Sequence, residues 1–220
     1  MDITNFVLVF FVLSIIGFYS LEKKLLNKAG VMASIVFGAI TFAIAGKSTF
    51  ITLIAVYFLA QITTKISMHK KKHETRSLAN VLGNVGPGII FLLLGFPLGF
   101  YGSMASAIAD TTASEIGMLS KRKPRLITNF KEVEKGTDGA ITLLGTFFAF
   151  FSAFLIAITY FLLVNQDWKI FILIILSGFL GMIIDSVLGA TLQKKGLLDN
   201  NSVNFIANFL AGIICVAVLP

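Results

Sequence analysis

Apolar runs near the length that spans a hydrocarbon core, about 20 residues, follow one another along this chain, and charge is confined to the gaps between them. With 56% hydrophobic and only 13% charged residues, the sequence has too little polar surface to cover a water-soluble globule of 220 residues. The solvent for most of its surface is therefore lipid. The expected fold is all-α: a polytopic transmembrane helix bundle forming a single transmembrane domain over residues 1–220.

The pattern predicts eight spans, at 3–21, 30–46, 49–65, 79–96, 98–118, 139–164, 169–192 and 202–219. Two divisions rest on turn residues alone, at Gly46 to Thr49 and at Gly95-Phe96-Pro97-Leu98-Gly99. The first run has no basic residues before it and no small-residue cleavage pattern after it, so it reads as a retained helix rather than a signal peptide. Cys215 is alone, which excludes an intramolecular disulfide.

Sixteen of the eighteen basic residues fall in the loops after spans one, three, five and seven; Lys47 and Lys169 are the exceptions. By the positive-inside rule these loops are cytoplasmic, with long basic loops near 66–78 and 119–138, and both termini are external. The net charge of +7 then reads as a topology signal and an attraction to anionic headgroups. It calls for no nucleic acid.

Three of the eleven carboxylates, Asp110, Glu115 and Asp185, lie inside predicted spans, where idle charge is costly. The orientation puts all three in the inner half of the bilayer, and Asp138 joins them from the cytoplasmic start of span six. Ser103, Ala107, Asp110, Ser114 and Gly117 recur at steps of three and four, as do Gly178, Gly181, Asp185 and Gly189, so each aspartate sits on a small-residue face suited to close helix contact. Glu115, five residues beyond Asp110, is turned about 140° around an ideal helix. The plainer alternatives are a helix-packing hydrogen bond for the aspartates, an interfacial side chain for Glu115 and a helix-start acid for Asp138. Ala109-Asp110-Thr111 and Ile184-Asp185-Ser186 also form a short internal echo, compatible with a duplicated hairpin.

Spans four, six and eight begin on the same side as the acids, near Asn80 and Asn84, at Gly136-Thr137-Asp138-Gly139, and near Asn200, Asn201 and Asn204. Their N-termini direct unpaired N–H groups and positive dipole ends that way, which suits phosphate. Acids alone repel a polyphosphate; acids holding Mg²⁺ beside lysine and arginine bind it. Other motifs carry less. Thr41 to Ser48 ends like a P-loop but lacks the first glycine and a preceding strand, His69 and His73 are separated by three lysines that repel a cation, and Gly95-x-x-x-Gly99 contains Pro97.

Four segments taken together resemble the integral-membrane family of the plant phytyl-phosphate kinase and animal transmembrane protein 19. They are Arg76 to Asn84; Ala109 to Gly117; Pro124 to Thr128 with Lys135 to Gly139 and Leu143 to Thr146; and Gly181 to Gln193. Asn80, Ser77 and Thr112 depart from the family pattern, where Gln, Asn and Trp are expected. The resemblance implies a CTP-using kinase that adds a phosphate to a prenyl (phytyl or geranylgeranyl) monophosphate in the cell membrane of a prokaryote, with the active site facing the cytoplasm. On that basis Asp110, Asp185, Glu115 and Asp138 are the expected catalytic acids, with Asp110, Glu115 and Asp185 as Mg²⁺ ligands. Asn84, Arg125, Lys131, Lys135, Thr137 and Asn204 are the expected substrate and nucleotide contacts. The expected partners are the prenyl phosphate, a nucleoside triphosphate and the bilayer, and an oligomer is compatible. A proton- or ion-coupled transporter and a lipid cytidylyltransferase are the rival readings; the first is disfavoured because these acids gather toward one face rather than at the midplane.

Overall fold

The computed structural model describes residues 3–67 and 75–217. The predicted His69, His73 and Lys70 to Lys72 segment lies outside them. Among the described residues the fold is seven α-helices, α1 (Ile3–Glu22), α2 (Lys28–Ser67), α3 (Leu78–Leu93), α4 (Pro97–Gly117), α5 (Leu143–Leu163), α6 (Trp168–Leu188) and α7 (Asn200–Ala217), with a π-helical turn at Gly189–Gln193. Two short strands, β1 (Arg125–Leu126) and β2 (Ala140–Ile141), pair antiparallel. Five of the helices are long and apolar enough to cross a membrane.

Predicted spans two and three share the 40-residue α2, which as one straight rod would be about 60 Å long, twice a hydrocarbon core. It is not one rod. Gly46 has φ 75° and ψ −169°, a backbone state that suits glycine, and the helix breaks there. Contacts with α1 show the reversal. Gly17 lies against Val31 and Gly38 against Leu13, so residues 28–45 run antiparallel to α1; Leu13 clusters with Phe50, and Ser20 Oγ shares a 2.7 Å hydrogen bond with Tyr57 Oη, so 47–67 run parallel to it. The turn from α3 to α4 follows its sequence signal, with Gly95 at φ 81° and Pro97 opening the helix, where its missing N–H costs nothing.

Alternation along the chain places the described basic loops on one face of the bundle. The Gly46 and Gly95 turns, the start of α1 and the end of α7 lie on the other: Phe6 meets Phe42, and Cys215 lies against Gly102 near the start of α4. On the basic face, Asn27 N donates to Arg76 O at 3.0 Å and Arg76 N to Leu25 O at 3.1 Å, tying two loops together.

At the centre stands α4, packed against α2, α3, α5, α6 and α7. Its residues Gly99 to Ala109 are all buried. On α6 the expected small residues permit close approach, but they meet α4 beside its expected face: Gly178 faces the Ala105 backbone and Gly181 faces Ser106, while Gly102 faces Ala211 O. At the periphery α1 buries Val9 and Leu13 but leaves Phe10 and Phe11 each 61% exposed, a surface that requires lipid.

Span six was expected to start at residue 139, but α5 begins at Leu143 because 140–141 pair with β1 and Thr142 caps the helix, accepting from Gly145 N at 3.0 Å. The 119–138 loop is therefore an ordered flap.

Candidate functional site: a carboxyl pair under an ordered flap

On the basic face, between the ends of α4 and α6 and the starts of α5 and α7, lies a polar cavity of about 180 Å³. Asp110 and Asp185 line it from α4 and α6 and share a side-chain hydrogen bond, and Asp138 acts on Asp185 electrostatically from the flap. Two carboxyl groups in such contact need a proton between them or a cation in its place. From α7, Asn204 oriented to satisfy its neighbours donates to Asp185 Oδ2 at 2.9 Å and to Asn200 O at 3.1 Å. This bond helps to fix the orientation of the carboxylate.

Gly139 holds the flap in place. It has φ 70°, and a side chain there would meet Ala190 N, Ser186 O and the Ala190 methyl; in return, a Cβ on Gly189 would lie 2.9 Å from Gly139 N. The flap backbone is thereby pressed onto the end of α6, with Ile127 N donating to Gly139 O at 3.1 Å. Lys135, also on the cavity wall, donates from Nζ to Met118 O at 2.8 Å and Ser120 O at 2.5 Å, the last carbonyls beyond α4. Thr137 lines the cavity and donates to Glu134 O at 2.7 Å.

The helix starts expected to face phosphate divide into two groups. Those of α5 and α7 border the cavity through Thr142, Thr146 and Asn200. That of α3 faces elsewhere: Asn84 lines a second cleft and donates to Asn80 O at 2.9 Å. Asn80 joins the two regions, since its Nδ2 donates to Asn201 Oδ1 at 2.8 Å.

Glu115 does not line the carboxyl cavity. As its 140° offset from Asp110 implies, it is buried on another side of α4, where Ser67 Oγ donates to it and it acts on Arg76. Arg125 and Lys131 remain on the outer surface of the flap, Arg125 in a 3.4 Å ion pair with Glu132. Among the described residues no three His, Cys, Asp or Glu side chains are gathered closely enough to hold a metal by themselves. Mg²⁺ characteristically takes one or two carboxylates and completes its shell with water and substrate phosphates, and the hard oxygen pair Asp110 and Asp185 fits that habit.

Sequence reasoning missed Thr142, Thr146 and Gln193 as cavity residues. Thr142 had a signal, a threonine directly before an apolar run. Thr146 and Gln193 fall within the family-like segments, but helical spacing did not point Gln193 at the acids, because it reaches the cavity from the π-turn, closed by Lys194 N donating to Gly189 O at 3.2 Å.

Fold and site together define an integral membrane protein with a half-buried carboxyl pair open to its basic face. Residues 11–212 match the family model described as integral membrane protein DUF92, and the chain belongs to that family. The membership suggested by the four sequence segments is thereby shown. The chain is 40% identical to the uncharacterized membrane protein MJ0933 of Methanocaldococcus jannaschii, covering 90% of this chain and 87% of the relative. In Arabidopsis thaliana it is 27% identical to protein PGR, covering 91% of each, and 27% identical to the chloroplastic protein VTE6, covering 87% of this chain and 64% of that one. No solved structure matches it.

Proposed function

We propose that this protein is a prenyl-phosphate kinase that moves the terminal phosphoryl group of a nucleoside triphosphate, CTP by resemblance, onto a phytyl or geranylgeranyl monophosphate. The observation that carries the reading is the meeting of Asp110 and Asp185, from separate helices, beside Lys135 and two helix N-termini. The relationship to the plant proteins supports it. The two halves of α2 and the other six helices make eight membrane spans, with the basic face toward the cytoplasm and both termini external.

In the transfer, an oxygen of the acceptor monophosphate attacks the terminal phosphorus, the bond from that phosphorus to the bridging oxygen breaks, and nucleoside diphosphate leaves as prenyl diphosphate forms. An acceptor that is already an anion needs no general base, so positioning and charge neutralisation supply the catalysis. Asp110 and Asp185 would hold Mg²⁺, which would supply positive charge to offset the negative charge of the phosphates. Asn204 orients Asp185 for that role. Lys135 and the N–H groups at the starts of α5 and α7 bind phosphate oxygens, and Asp138 is kept above the pair by the packing of Gly139.

The test is purified protein in lipid bilayers with labelled CTP or ATP, Mg²⁺ and geranylgeranyl phosphate. The reading expects prenyl diphosphate and nucleoside diphosphate in equal amounts. Pyrophosphate release would instead identify a cytidylyltransferase, and absence of turnover with every donor and acceptor would remove the kinase.

A further inference from the structure

Across α4 from the carboxyl pair, a second cleft of about 110 Å³ lies among α1, both halves of α2, α3 and α4. Its walls are graded along the membrane normal. Leu13, Phe37, Leu53 and Ile108, from the middle stretches of four rods, make the depth apolar, whereas Gln61, Arg76 and Asn84 gather at the end nearest the basic loops. Arg76 is the one charged residue on the described lining. Its backbone is pinned on both sides to residues 25 and 27, and its Nη2 donates to Thr64 Oγ1 at 3.2 Å, so the guanidinium is held at the mouth, with Glu115 acting on it from outside the lining.

We propose that this cleft receives the phosphate-proximal isoprene unit of the acceptor, with Arg76 against the acceptor phosphate at the mouth. The assignment rests on the kinase reading and specifies where its lipid binds. A cation over an apolar slot complements an anionic head on one apolar tail, in the orientation that places the phosphate at the basic face. The volume, about 110 Å³, is below the about 150 Å³ of an apolar cavity that admits a benzene-sized guest, so the cleft takes the branched five-carbon unit next to the phosphate and leaves the rest of the chain to the lipid. Asn80, at the same end of the cleft, donates to Asn201, the neighbour of Asn200 on the wall of the carboxyl cavity, so the two sites lie on one face of the bundle, either side of the contact between α3 and α7.

The experiment measures binding of labelled geranylgeranyl phosphate to the full chain in phosphatidylcholine nanodiscs, without nucleotide or metal. Ser34 and Val85 are half-buried wall residues from α2 and α3, so Ser34→Phe and Val85→Phe fill the slot. Each is expected to weaken binding by about tenfold or more. Arg76→Gln is expected to weaken the phosphate by about 10- to 100-fold and leave geranylgeraniol unchanged. Asp185→Asn should bind as wild type does, and phosphatidic acid should not compete. Filled variants that elute as monodisperse protein and bind normally would overturn the assignment, as would competition by phosphatidic acid or an absence of binding to wild type. Should both filled variants misfold, a diazirine-bearing geranylgeranyl phosphate decides: crosslinks at Val85 or Ile108 support the cleft, and crosslinks confined elsewhere overturn it. Lipid bound in the cleft without turnover under any donor would remove the kinase reading alone; turnover with unchanged KM in filled variants would remove the cleft alone.

Discussion

Gly139→Ala tests how the flap positions the site. At φ 70° an L side chain costs about 1–2 kcal/mol, and the added methyl must also displace backbone atoms of Ser186 and Ala190, an overpacking cost of about 1–3 kcal/mol. Gly136 supplies the matched control: it has φ 88° on the same flap, but a Cβ there meets nothing within 4 Å, so Gly136→Ala carries the conformational cost alone. The difference between the variants, about 1–3 kcal/mol, corresponds to about 2–4 °C of apparent Tm per kcal/mol for a chain of this size. Because the flap carries Lys135, Thr137 and Asp138, a shift of about 1 Å should also lower turnover by about a hundredfold in Gly139→Ala while Gly136→Ala stays near wild type. Thermal unfolding of both variants in one detergent, with turnover in nanodiscs, measures the pair. Equal behaviour of the two would refute the claim that contact with the end of α6 sets the flap.

Asn204→Leu removes the donor to Asp185 and is expected to lower kcat/KM by about 10- to 150-fold with little change in unfolding temperature, measured by steady-state kinetics. Glu115→Gln should destabilise the protein through Ser67 and Arg76 yet leave the Mg²⁺ concentration for half-maximal activity unchanged, because Glu115 does not line the carboxyl cavity. A side-chain hydrogen bond and the N–H of Ser202, at the start of α7, hold Asp199 below the ordinary carboxylate value, so its contribution is present above the unfolded pKa of about 3.9 and is lost as pH falls through the folded one. The Tm gap between wild type and Ser202→Ala should therefore shrink between pH 6 and pH 3; a constant gap would dismiss the coupling.

The helices were legible because a bilayer imposes one length and one polarity on every span, and both uncertain divisions were marked by glycines that the backbone uses at positive φ, Gly46 and Gly95. The sequence put Asp110 and Asp185 on one side of the bilayer, each on a small-residue face suited to close contact, but did not show which elements those faces meet: Ser103 bonds Asn208 O, Gly117 faces Thr142, and Gly189 faces Gly139. Two kinds of feature were hidden. The strands β1 and β2 are two residues each, too short for an alternation signal, so the flap read only as a basic loop. The partners of Glu115 lie on α2 and just before α3, far away in sequence, and periodicity on α4 could give its direction of turn but not what waited there.

The measurement closest to the central claim is metal binding at the carboxyl pair. Mn²⁺ standing in for Mg²⁺, titrated into nanodisc-embedded protein with a non-hydrolysable nucleotide and followed by electron paramagnetic resonance, should show a bound ion in wild type and in Glu115→Gln. That signal should vanish in Asp110→Asn and in Asp185→Asn. An unchanged Mn²⁺ signal in both aspartate variants, each still folded, would contradict the assignment of the metal to this pair.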